Sequence, residues 1–474
     1  MRRKVNIWSE LDWTTVGLYF LLVLIGWVNI YAAVYNEEHQ SIFDFSQRYG
    51  KQLIWILAAV AIVIIIFTID VHFYSFFAYF IYGFLIFLLI AVLVFGKEVN
   101  GARSWFEIGG IRIQPSEFAK IATALALARF LSSFNVQINA FKSYWKIALL
   151  IFVPALLILF QNDTGSALVY AAFIFVLYRE GLSESILLFG FFIVVLFVLA
   201  LVIDKLIIII ISMLVALLFF WFINKRTKSF VIALTIFIIF TGLFQSINYF
   251  LDLDFPKYLI ELVAVGVSSI VYLYLAFKNK IKRVFVLLLF LFGSIVFTFS
   301  VDYFFHHILE PHQQKRINTL LGIESDPLGI GYNVNQSKIA IGSGGFWGKG
   351  FLSGTQTKFD FVPEQSTDFI FCTIGEEWGF VGTFIVVVLF IVLLFRLIII
   401  AERQKSMFSR IYAYGVLSIL FFHITINIGM TIGLMPVIGI PLPFFSYGGS
   451  SLWSFTLLLF ILLRLDASRF ELLR

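Results

Sequence analysis

The chain has 474 residues, 61% of them hydrophobic and 13% charged, with a net charge of +6. A mean hydropathy of +0.98 and recurring apolar runs of about 18 residues or more exclude a soluble domain and identify a polytopic membrane protein. The single cysteine, Cys372, excludes an intramolecular disulfide framework, and the scattered basic residues suit cytoplasmic loops better than a nucleic-acid face.

At roughly 20 apolar residues per span, an all-α chain of about 14 transmembrane helices is expected. The first lies at 13–34. Met1-Arg2-Arg3-Lys4 precedes it without a small-residue cleavage site, so no cleavable signal is expected. Further spans follow near 51–69, 73–95, 116–132, 144–160 and 165–179. Four more fall near 185–203, 205–223, 229–250 and 256–277, then 284–305, 369–398, 408–431 and 449–465. The segments 116–132 and 165–179 are the shortest and most polar.

Lys and Arg concentrate in cytoplasmic connections. With the N-terminus inside, Arg129, Lys142, Lys146, Arg179, Lys225, Lys228, Lys278, Arg396, Arg403, Lys405 and Arg410 all fall inside; Arg48 and Lys51 are mild exceptions. Three stretches then face outward. They are 96–115, a large loop at 306–368, and 432–450, whose prolines and glycines break helix and suggest a re-entrant or cavity-lining segment. Three polar or irregular segments on one face make a site, away from ATP and soluble nucleotide sugars.

Within the large loop, 316–354 is polar and glycine-rich, a pattern of tight backbone geometry rather than disorder. Asp326 stands beside a proline and a glycine turn, as a turn initiator or as a carboxylate presented for general-base work. Lys315, Arg316, Lys338 and Lys349 could neutralise a pyrophosphate or face anionic headgroups. Glu117 and Lys120, three apart, share a helix face at the outer end of the fourth span, as a structural ion pair or a charged wall open to an anionic substrate. Glu376 and Glu377 pose the same choice. His306, His307, His312 and Glu310 lack a tetrahedral ligand pattern, and no Walker loop or dinucleotide fingerprint occurs.

The segments NGARSWFEIGGIRIQPSEFAKI, QNDTGSAL, ESDPLGIGYNVNQSKIAIGSGGFWGKG, FVPEQSTDFIF, GEEWGFVG and NIGMTIGLMPVIGIPLPFFSYGGSS follow one another in chain order. In these the chain resembles the SEDS (shape, elongation, division and sporulation) family, the elongation branch more than the division branch.

The resemblance implies a peptidoglycan glycosyltransferase of the cytoplasmic membrane that polymerises lipid II at the outer face beside a class B penicillin-binding protein. It places the essential aspartate of D-P-x-G-x-G-Y on Asp326. The P-S-E-x-A-K pair falls on Glu117 and Lys120, and the N-G-x-R arginine on Arg103. Lys338 joins the pyrophosphate-binding set, with Glu376, Glu377 and Gln336 in support. No cofactor is certain from the sequence, which leaves open a divalent cation (Mg or Mn) on Asp326 or the phosphates.

Two departures accompany the resemblance. Ser366 stands where the family often has histidine, and about four extra spans are expected beyond a ten-helix core. The expected layout is core helices at 1–180, inserted helices at 181–283, and a C-terminal core at 284–474. The competing class is a lipid-linked saccharide flippase, since many helices and intramembrane charges suit transport equally.

Overall fold

The structure, a computed structural model, describes residues 7–35, 41–99, 101–134, 136, 138, 140–225, 227–252, 255–278, 284–309, 311–320, 331–359 and 361–469. Among these, 12 helices are long and apolar enough to cross a membrane. They coincide with 12 of the expected spans.

The other two expected spans are shorter. Pro115–Leu131 has 17 residues, about 26 Å of helix against a hydrocarbon core of about 30 Å. It is buried along nearly its whole length, so protein rather than lipid surrounds its polar residues. The second is broken into Thr164–Leu168, a 3-10 turn Val169–Ala172, and Phe173–Arg179.

The chain divides into two compact units, Met1–Glu184 with Ser325–Arg474, and Ser185–Glu324. The second is a set of apolar helices, Glu184–Val202, Lys205–Asn224, Thr227–Phe250, Lys257–Lys278 and Val284–His307, with the polar helix Pro311–Leu320. Its interior is built on Ile209, Met213, Phe237, Val265, Leu291 and Ile295. Lys205 Nζ lies 2.7 Å from Asp302 Oδ2, pinning two helix ends.

The first unit carries the larger core, in which Tyr19, Leu22, Ile30, Phe390, Phe445 and Phe460 are almost fully buried. Charged pairs lock its helix ends. Asp12 accepts from Arg396 at 2.5 Å and Arg403 at 3.1 Å, and Arg403 also pairs with Asp466. This ties the helices Trp13–Ala33, Ile370–Glu402 and Gly449–Ala467 together at one end.

The structure departs from a purely helical expectation at 96–115. Here three short antiparallel strands form one sheet, β1 Lys97–Val99, β2 Ala102–Ile108 and β3 Ile111–Ile113. Ile108 pairs Ile111 across Gly109-Gly110, whose φ values of 57° and 82° are those a two-residue hairpin turn needs. The Gly-Gly pair between Ile-rich flanks was the available signal.

The expected loop 306–368 also contains helices, Pro311–Leu320, Tyr332–Ser343 and Thr355–Lys358. By contrast, 432–448 is irregular throughout. Ile440, Leu442, Phe444 and Phe445 in it are buried, the condition under which non-helical backbone is tolerated at membrane depth.

Candidate active site

Pro115 opens the helix Pro115–Leu131 with an acidic residue, Glu117, in its first turn, both favourable at a helix start. The three-residue spacing brings Glu117 Oε2 to 3.0 Å from Lys120 Nζ. Glu117 is 3% exposed and Lys120 1%. An ion pair so buried persists only where further polar partners offset its desolvation. Ser454 Oγ supplies one, 3.3 Å from Glu117 Oε2.

His423 supplies the other, with Nε2 2.9 Å from Lys120 Nζ. Its Nδ1 lies 3.2 Å from the Pro441 carbonyl. A carbonyl only accepts, so these partners assign the proton to Nδ1 and leave Nε2 to accept from the ammonium. Lys120 Nζ also sits 5.2 Å from the Phe455 ring centroid, within cation–π range. Lys120 is thus enclosed, rather than presented openly to an anionic substrate as the sequence suggested.

The irregular segment 432–448 is the frame onto which the neighbouring elements tie. Asn427 Nδ2 donates to both the Ile440 and Asp368 carbonyls at 2.8 Å. Ser446 Oγ donates to Thr367 O at 2.6 Å, and the Tyr447 N–H to Ser366 O at 2.8 Å. Ser366 is fully buried, and Arg48 Nη1 donates to its hydroxyl at 2.6 Å. Arg48, an exception to the charge bias, is therefore engaged in holding the 361–369 stretch. Asp163 caps Thr164–Leu168 through the Ser166 N–H at 3.0 Å and accepts from Gln114 Nε2 at 2.7 Å. Burial, with the charges of Glu364 and Asp163, pushes the Asp368 carboxyl up to about 7.

The glycine-rich stretch 344–354 packs backbone to backbone against the start of Ile370–Glu402. The N–H groups of Lys349 and Gly350 donate to the carbonyls of Glu376 and Glu377 at 3.0 Å, and Phe380 N–H to Gly345 O at 2.9 Å. A Cβ on Gly348 would lie 2.1 Å from Glu377 O, and one on Gly379 2.3 Å from Gly348 N. Both have left-handed φ, 80° and 61°, so only glycine meets both demands.

Glu376, unexposed, accepts from the N–H groups of Thr355, Gln356 and Thr357 at 2.7, 2.8 and 2.9 Å, and from Lys349 Nζ at 2.7 Å. It anchors this lobe, and Lys349 is spent on it. Glu377 is also buried, with Oε2 lacking a partner among the described residues.

Of the sequence candidates, the structure brings Glu117 and Lys120 together and separately pairs Glu376 with Lys349. Lys338 is exposed on Tyr332–Ser343, its side chain against Gly433, and Gln336 is half-buried on the same helix. Arg103 is exposed on β2, its N–H donating to Gln161 O at 3.0 Å. Asp326 lies outside the described residues, as does Glu310. Among the described residues no group of three or more His, Cys, Asp or Glu could hold a metal ion; a Mg or Mn ion on Asp326 would involve a residue beyond them.

Sequence reasoning passed over His423, Asp163 and Asp368. His423 carried a usable signal, an ionisable residue within a spanning segment. Asp163 and Asp368 stood within the QNDTGSAL and FVPEQSTDFIF segments without being singled out.

A family model described as "Cell cycle protein", of the FtsW, RodA and SpoVE type, matches residues 12–236 and 261–471. The chain is 32% identical to the peptidoglycan glycosyltransferase RodA of Treponema pallidum, covering 97% of this chain and 98% of that one. It is 30% identical to the peptidoglycan glycosyltransferase MrdB of Escherichia coli, over 95% and 92%. A chain from a peptidoglycan synthase complex that coordinates polymerization and crosslinking superposes with a TM-score of 0.63 at 25% identity, over 97% and 99%. The rod shape determining protein RodA of Thermus thermophilus shares the fold, with a TM-score of 0.56 at 23% identity, over 97% and 98%.

Proposed function

Because the chain belongs to the FtsW, RodA and SpoVE family, we propose that it is a peptidoglycan glycosyltransferase that polymerises lipid II during cell elongation, at the outer face of the cytoplasmic membrane. The observation that carries this is the buried chain Glu117–Lys120–His423–Pro441. It fixes charge at membrane depth beside an irregular segment, the kind of preorganised electrostatics that transfer from a pyrophosphate needs.

The GlcNAc 4-hydroxyl of one lipid-linked molecule attacks the MurNAc C1 of another. The new β-1,4 bond forms as the bond from C1 to the pyrophosphate oxygen breaks, releasing undecaprenyl pyrophosphate with inversion. Asp326 takes the hydroxyl proton as general base. Arg103 and Lys338, whose side chains are exposed, are assigned to the departing pyrophosphate, and the enclosed Lys120 contributes its charge from a fixed position. Gln336, Glu376 and Glu377 support the surrounding lobe. No step is routed through a cation. A class B penicillin-binding protein is the partner that crosslinks the strands, and 181–283 is read as helices added to a ten-helix core.

The test incubates the purified protein and its transpeptidase partner with lipid II in detergent micelles. A flippase yields no product there, because a micelle has no sides. Glycan polymer is expected from the natural chain and none from Asp326→Asn, with folding and partner binding retained. Full polymerisation by Asp326→Asn would overturn the role given to that carboxylate, and no polymer from the natural chain would overturn the enzyme.

A further inference from the structure

The helix Pro115–Leu131 carries Glu117 and Lys120 near its start and Arg129 in its last turn, about 18 Å away at 1.5 Å per residue. At that far end a mostly polar cavity of about 230 Å³ is lined by His72, Ser75, Arg129, Ser132, Ser406 and Ser409, with apolar neighbours. Three observations there fit an anion-binding site.

The first is the start of the 25-residue helix Met407–Thr431, whose N-cap, Ser406, makes no side-chain cap hydrogen bond. Its opening N–H groups have no intrahelical acceptor, and the helix dipole adds positive potential. The second is Ser409, fully buried, whose Oγ has no partner among the described residues. A buried hydroxyl left unpaired costs free energy, so one lining a polar cavity marks where a ligand's acceptor belongs. The third is Arg129, an exposed guanidinium beside that cavity, suited to grip oxyanion oxygens. The acidic group nearby, Asp70, is occupied by His72, 3.0 Å from its ring and 2.8 Å from its N–H.

We infer that this cavity binds a phosphate group, held by the N–H groups and hydroxyls that open Met407–Thr431 and by Arg129. A water takes about 30 Å³ in the liquid, so the volume holds a tetrahedral oxyanion with some of its hydration. The charge bias assigns this end to the cytoplasmic leaflet, where the phosphate comes either from a phospholipid headgroup or from solution. Binding there would staple Pro115–Leu131 to Met407–Thr431 at the end remote from the Lys120–His423 contact. The inference does not depend on the chemistry proposed for the outer face.

The test uses the full chain in phospholipid-free detergent with two probes. Inorganic phosphate is titrated calorimetrically, with chloride at equal ionic strength as the control. In the second arm, phosphatidylglycerol or phosphate-free diacylglycerol is added to the micelles and retained lipid is read by native mass spectrometry. At least one phosphate-bearing probe is expected to bind, and Arg129→Gln and Ser409→Ala each to weaken it by about tenfold, the loss of one charge-assisted or buried hydrogen bond. Phosphatidylglycerol retention alone assigns the headgroup, and a calorimetric signal from inorganic phosphate assigns the soluble anion. Binding that neither variant changes, or no binding of either probe, overturns the site. Arg129 is exposed, so Arg129→Gln keeps the test valid should Ser409→Ala misfold.

Discussion

Lys120 Nζ lies 2.9 Å from His423 Nε2, joining the helix Pro115–Leu131 to Met407–Thr431 across 303 residues of sequence. The imidazole reaches on to the Pro441 carbonyl, so one side chain connects a buried cation to the backbone of the irregular segment. Its worth lies in satisfying both neighbours at once, since a buried donor without an acceptor costs about 1–3 kcal/mol.

His423→Ala strands an ammonium donor and frees Pro441. It is expected to lower stability by about 1–3 kcal/mol and to reduce polymerisation. His423→Gln restores an acceptor for Lys120 and a donor for Pro441, and should recover most of both losses. Thermal unfolding in detergent and glycan synthesis from lipid II measure them. Equal damage from Ala and Gln would show that the ring's shape, and not its hydrogen bonds, matters.

Gly348 and Gly379 are expected to be irreplaceable. Alanine at either position places Cβ 2.1 or 2.3 Å from backbone atoms of the opposing segment, in a left-handed conformation that alone costs about 1–2 kcal/mol. Backbone cannot step aside as a flexible side chain can. Each substitution should lower stability by at least ~2 kcal/mol, read as a drop in unfolding temperature. A neutral Gly379→Ala would mean that the two segments do not meet this closely.

Much of the architecture was legible because hydrophobicity is a one-dimensional signal. Twelve long apolar runs became 12 long helices. The glycine spacing in 344–354 correctly announced tight backbone geometry, and the i, i+3 spacing announced the Glu117–Lys120 pair. What spacing could not supply was the third dimension. Nothing local says that Lys120 meets His423, or that Ser366 receives Arg48. The two glutamates in GEEWG looked equivalent, yet a one-residue step on a helix turns them to different neighbours. Glu376 gathers three N–H groups while Glu377 keeps a bare oxygen. The small sheet was missed because a period-2 pattern over a few residues is overshadowed by long apolar runs.

Glu376 should therefore matter for the lobe's structure first. Its carboxylate is the common acceptor for Thr355, Gln356, Thr357 and Lys349. Lys349 is partly exposed, so the cost of losing the carboxylate lies chiefly in the three backbone N–H groups left without an acceptor, about 1–3 kcal/mol for each that stays buried. Glu376→Ala is expected to raise amide hydrogen exchange at Thr355–Lys358 and around Lys349, while the Trp13–Ala33 helix keeps its protection. Glu376→Gln keeps one acceptor oxygen and should fall between the two. Unchanged exchange in Glu376→Ala would refute the anchoring role.

The Asp368 carboxyl gives the fold a pH dependence of defined sign. Burial, then the charges of Glu364 and Asp163, push it up to about 7, against an ordinary value near 4. Below about pH 4 the group is protonated in both folded and unfolded chains, and its stabilising effect is fully present. Between about pH 4 and pH 7 the unfolded chain releases the proton while the folded chain retains it, so stability declines as pH rises. Above that window both states are ionised and the loss is complete. Asp368→Asn, neutral throughout, is expected to flatten this slope, melting above the natural protein near pH 8 and converging with it near pH 5. Unfolding curves for the two proteins across that range measure the difference. A gap that stays constant with pH would mean that Asp368 is ionised in the folded chain throughout.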